Sequence, residues 1–174
     1  MKRTILIFIL VLLTTSLHAE TRGVKRVEIR TSAGESVGLY EESHALVIGV
    51  SDYTNGWPDL QGVQDDIIAV RKVLESQGFE VEINENPKNR TELEQIFNQF
   101  IFKNGRNPQN RLLFYFAGHG HTQLTAYGED MGYIVPSTSP NPNRDPNGFL
   151  DTALDMEQVE VFAKRIQSKH ALFI

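Results

Sequence analysis

Residues 112–121 read Leu-Leu-Phe-Tyr-Phe-Ala-Gly-His-Gly-His. A run of large apolar residues with no polar alternation predicts a strand buried on both faces, as inside a parallel sheet. The run ends in two glycines that bracket His119, which predicts a tight turn where backbone can approach a neighbour closely. In open parallel sheets, chemistry collects beyond the carboxyl ends of the strands. His119 is therefore the first candidate for it, because imidazole exchanges protons near neutral pH. Gly120 offers a backbone N–H beside the ring, the kind of donor a developing oxyanion needs. Spacing alone is met equally well by an ordinary histidine on a surface turn.

Upstream, residues 45–50 (Ala-Leu-Val-Ile-Gly-Val) predict a second doubly buried strand. A loop rich in Gly, Pro, Asn and Asp follows over 51–64, then a helix over 65–77 with Ile67, Val70 and Leu74 on one face and Gly78 as its stop. Asp65 and Asp66 open that helix, where acids suit the positive end of its dipole. Residues 79–83 alternate as a strand. Thr91 and Glu94 form a capping box ahead of Leu93, Ile96, Phe97, Phe100 and Ile101, which share one helical face. Downstream, 131–135 reads as a short strand, and 136–148 as a long loop with four prolines, solvated or open to cleavage. Asp155 caps a helix whose apolar face is Val159, Phe162, Ala163 and Ile166, and residues 170–174 begin another buried strand. Alternating strands and helices predict an α/β fold, a mostly parallel sheet with helices on both faces. Before it, residues 20–43 predict a β-hairpin or edge extension, with Val27 and Ile29 alternating with charged residues before a turn over 32–35 and Val37 and Leu39 alternating after it; the main domain is 44–174.

The first nineteen residues stand apart. Lys2 and Arg3 precede an apolar run over 5–13, and Ser16-Leu17-His18-Ala19 ends in a small residue. That order predicts a signal peptide over 1–19 and an exported protein, periplasmic or secreted. The run is too short to span a bilayer, which takes roughly 20 residues, so no membrane association is expected after cleavage; a retained anchor is the rival reading. Seventeen basic against twenty-two acidic side chains give a formal charge of −5, which argues against a nucleic-acid partner. There is no cysteine, so the core must hold the fold without disulfides.

Several segments together resemble the caspase, metacaspase and paracaspase family of cysteine peptidases. Residues 114–120 (Phe-Tyr-Phe-Ala-Gly-His-Gly) are similar to the family's histidine strand and loop, and 44–50 to its first strand. Tyr53, the segment Leu60-Gln61-Gly62-Val63-Gln64-Asp65-Asp66, Gly132 to Pro136 and Ala171 to Ile174 also fit, in order. The resemblance implies a Cys–His dyad acting on a protein or peptide substrate. His119 is the implied histidine and Gly120 an oxyanion-hole amide. The implied thiol follows the strand begun at His170, beyond Ile174, so the chain as it stands carries the histidine without the nucleophile and is expected to be inactive alone. Asp66, with Asp65 beside it, is implied to line an acidic pocket for Lys or Arg before the cut bond; the bland alternative is that both acids only serve the helix N-terminus. Val63 and Asp65 depart from the metacaspase pattern, where cysteine and asparagine are common.

The resemblance implies no cofactor. Calcium, which some metacaspases require, would have to use acids such as Glu129 and Asp130. Two other function classes stay open from sequence. The fold could serve as a non-catalytic binding or regulatory domain, or His119 and His121 could form the His-x-His half of a hydrolytic metal site, with Glu129 and Asp130 as the nearest carboxylates.

Overall fold

The computed structural model describes residues 27–30, 32, 34 and 36–174, and the expected leader over 1–19 lies outside them. Strands β1 (Val27–Arg30) and β2 (Ser36–Tyr40) pair antiparallel as the expected hairpin. The central sheet contains β3 (Ser43–Gly49), β4 (Glu80–Glu85), β5 (Arg111–Ala117) and β9 (His170–Phe173), all parallel, in the order β4-β3-β5-β9. Their connections carry helices α1 (Gly62–Ser76), α2 (Arg90–Asn104) and α4 (Met156–Arg165). The chain is α/β, as its sequence pattern predicts.

Alternation along β3 and β5 divides the core into two layers. Ala45, Val47, Leu113 and Tyr115 meet Val63, Ile67 and Leu74 of α1 on one face. Leu46, Ile48, Leu112 and Phe114 meet Leu93, Phe97 and Phe100 of α2 and Phe162 of α4 on the other. Gly49 has no room for a side chain, because a Cβ there would lie 2.9 Å from Ile67 Cγ2. The close approach brings the start of α1 over the carboxyl end of β3.

Three expectations need correction. Helix α1 begins at Gly62, three residues early, with Gln61 at its N-cap, so neither Asp65 nor Asp66 caps it; Asp65 still falls in the first turn. Helix α2 is capped by Asn89, whose side chain accepts the N–H of Glu92. Thr91 is already inside that helix and exposed, so the N-cap lies two residues upstream of the expected one.

The third concerns the segment after β5. A small antiparallel sheet forms from β6 (Gly120–Leu124), β7 (Asp130–Ile134) and β8 (Leu154–Asp155). The short strand expected near 131–135 is β7 of this sheet. The prolyl stretch is neither free nor wholly irregular, since α3 (Pro146–Thr152) occupies its end, capped by Asp145. Pro136, Ser137 and Ser139 are buried. Backbone bonds tie the loop to its neighbours: Ser137 N–H donates to Pro87 O (2.9 Å), Thr54 N–H to Ser137 O (3.0 Å) and Asn141 N–H to Asn55 O (2.9 Å).

Candidate active site

The loop over residues 50–61 and the turn over 118–119 both leave the carboxyl edge of the sheet, and they meet. Val50 N–H donates to Ala117 O (2.8 Å), fastening the end of β3 to the end of β5. Beneath them lies a small apolar cluster of Val50, Tyr53, Val135, Phe149 and Ala153, with Trp57 and Phe116 packed against it. This platform positions His119.

Five contacts fix that residue. Its backbone N–H donates to the Tyr53 hydroxyl (2.7 Å), and its carbonyl accepts the N–H of Val135 (3.1 Å). Its ring packs on Tyr53 and Trp57, with centroids 4.7 and 5.2 Å away. Ring nitrogen Nε2 lies 2.9 Å from the Pro58 carbonyl oxygen. A carbonyl can only accept, so Nε2 carries the hydrogen, and the lone pair of the neutral ring is on Nδ1. One tautomer is thereby selected.

Tyr53 is buried, with 8% of its surface exposed. Its hydroxyl donates weakly to Val135 O (3.4 Å), and its N–H donates to Asp59 (2.8 Å), which closes the loop on itself. Burial pushes the phenol pKa up to about 12, while the bond from His119 N–H pulls the other way. Gly118 is required by this packing: a Cβ there would stand 2.7 Å from the Phe116 ring and 2.9 Å from the Tyr53 hydroxyl.

Gly120 opens β6 opposite Ile134. Antiparallel ladders alternate hydrogen-bonded and non-hydrogen-bonded pairs. The bond between Val135 N–H and His119 O makes the 119/135 pair bonded, so the Gly120 N–H points away from β7. Gly120 is exposed and adjoins His119 in the chain.

Parallel pairing sets β9 directly beside β5, with Phe173 opposite Phe114. The ladder runs on: Ile174 N–H donates to Phe114 O (2.9 Å) and Phe116 N–H to Ile174 O (3.0 Å). The strand begun at His170 therefore points along the edge at which His119 sits. A family model described as a caspase domain matches residues 42–174. The chain belongs to the caspase family. No individual curated protein matches it significantly. The caspase family is one of cysteine peptidases, and its substrates are proteins or peptides.

Within this caspase domain the structure gathers His119, Gly120, Tyr53, Trp57 and Pro58. Asp65 and Asp66 are exposed on α1, and among the described residues neither is hydrogen-bonded to that cluster. Trp57 and Pro58 escaped the sequence reading. A backbone carbonyl leaves no compositional trace, and the only signal for Trp57 was its being the sole tryptophan, in a loop beyond a buried strand.

His121 does share a side with His119, as residues two apart on a strand do, but its ring packs on Trp57 and Phe149. Register places Asp130 opposite Leu124, three residues along β6 from His121, or roughly 10 Å. Among the described residues no group of three or more His, Asp or Glu is arranged to hold a metal ion. Among the described residues His119 and His121 thus have no third His, Asp or Glu arranged with them as a metal ligand.

Proposed function

We propose that this domain is the histidine-bearing part of a cysteine endopeptidase. The carrying observation is the pairing of β9 with β5 in parallel register. His119 lies five positions after Phe114; the same step from Phe173 reaches the fourth residue past Ile174, one strand spacing of roughly 4.8 Å away. A cysteine delivered there would face the imidazole. Nδ1 takes the thiol proton, the thiolate attacks the peptide carbonyl, and the imidazolium returns a proton to the leaving amine. Pro58 O holds the Nε2–H throughout, keeping the lone pair on the working nitrogen. Gly120 N–H meets the charge developing on the carbonyl oxygen.

The 174 residues contain no thiol, so they have no turnover by this route unaided. Asp66, with Asp65, supplies negative charge on the exposed side of α1 for a Lys or Arg before the scissile bond. The leader directs the protein out of the cytoplasm. To test the reading, the 174-residue chain and a longer product bearing the thiol are given peptides with Lys, Arg or Asp before the cut. Only the longer product should cleave, after Lys or Arg, and His119→Ala should cost it at least about 10³-fold in kcat/KM. Turnover by the short chain, or an inert thiol-bearing product, would refute the dyad; cleavage confined to Asp would refute the acidic pocket alone.

A further inference from the structure

Both groups that hold His119 through the β3 loop, the Tyr53 hydroxyl and the Pro58 carbonyl, depend on how that loop leaves the sheet. Asn86, the residue after β4, governs this exit. Its backbone is left-handed, with φ 51°, alone among the described non-glycine residues; asparagine tolerates that region better than most side chains. Its N–H donates to Gly49 O (2.8 Å), the last residue of β3. Its carboxamide oxygen accepts the backbone N–H groups of Ser51 (2.9 Å) and Asp52 (3.1 Å), and its amide nitrogen donates to the Asp52 carboxylate (3.2 Å). Its carbonyl accepts from the Ser137 hydroxyl (3.2 Å). One residue thus joins the ends of β3 and β4 to the loop that follows β7. A strained backbone persists where its surroundings over-determine it, and such places gather at functional sites.

We propose that Asn86 is a positioning residue for His119. By fixing Ser51 and Asp52 it sets the course of the chain through Tyr53 to Pro58, and so the tautomer and orientation of the imidazole. This rests on His119 being the proton-transferring group, but its test needs no catalysis.

Long-range proton–nitrogen NMR of the labelled 174-residue chain in mildly alkaline buffer reads the His119 ring directly, assigned by its loss in His119→Gln. The wild type should show a single species protonated at Nε2. Asn86→Gly keeps the left-handed backbone and removes the carboxamide. It should give a mixture of tautomers and about tenfold or more faster exchange of the ring hydrogen, as expected when the hydrogen bonds that hold the loop are lost, with backbone signals from the sheet unchanged. The exchanged pair Asn86→Asp/Asp52→Asn restores both acceptor and donor, and should recover the wild-type ring pattern. Asn86→Gly with an unaltered ring overturns the positioning role, as does an exchanged pair as disturbed as Asn86→Gly. A wild-type ring lacking the Nε2–H species overturns the tautomer argument itself, and with it the reading of His119 beneath the proposal.

Discussion

Tyr53 shows how one hydroxyl sustains a site from outside the reaction. Its oxygen accepts the His119 N–H at 2.7 Å in a buried position. Tyr53→Phe keeps the ring that packs on the imidazole and removes only the acceptor. A buried donor left without a partner costs about 1–3 kcal/mol, so urea unfolding of the 174-residue chain should show a loss in that range at pH 7. The pH dependence follows from the raised pKa. An unfolded phenol ionises near 10 and the folded one near 12, so between those values the folded chain holds the extra proton. Stability from this group is complete below pH 10 and declines as pH rises towards 12. Tyr53→Phe should lack that alkaline decline; a variant and wild type falling in parallel would show the phenol is not buried as described. His119 was legible in sequence because two glycines and an apolar strand frame it. Its Pro58 acceptor was not, because any residue's carbonyl would serve and only the fold decides which one arrives.

Among the elements, the inner strands β3 and β5 were legible for a simple reason: a strand buried on both faces must be apolar at every position. Residues 170–174 read the same way, but β9 lies at the sheet edge with most of its residues exposed, so the expectation of a buried strand there is corrected. Strand β6 has no such need. Its residues, Gly-His-Thr-Gln-Leu, alternate between half-buried His121 and Gln123 and exposed Thr122 and Leu124, so its period of two is carried by polar side chains. Helix α3 did carry a start signal, Asp145 before Pro146, hidden within a run of prolines that reads as loop. Capping at α2 distinguishes the two readings by experiment. Asn89 accepts the Glu92 N–H (3.0 Å), and the Glu92 side chain accepts the N–H of Lys88 (2.7 Å), whereas Thr91 is exposed within the first turn. Asn89→Ala should cost about 1 kcal/mol of unfolding free energy, as typical for an N-cap. Thr91→Ala should change it by no more than about 0.5 kcal/mol, as usual at the surface. The reverse order would restore the capping box expected from sequence.

At the scale of the whole molecule, the sheet order leaves β9 at an edge beside the candidate site. Leu172 and Ile174 are 54% and 63% exposed there. Next to them an apolar cavity of about 160 Å³ is lined by Ile48, Phe114, Phe116, Phe173 and Ile174. An edge strand with free backbone groups and exposed apolar side chains is a template for pairing with another chain. A formal charge of −5 on the 174 residues opposes association, but salt screens charges more than about 10 Å apart at 0.1 M and leaves the apolar contact intact. The 174-residue chain should therefore associate with rising concentration, and more so at higher salt, as read by sedimentation velocity. Leu172→Lys puts a charge on that edge without entering the core, and should shift the population towards monomer with an unchanged unfolding midpoint. Monomeric behaviour of the wild type at high concentration and salt would show that β9 is covered in solution.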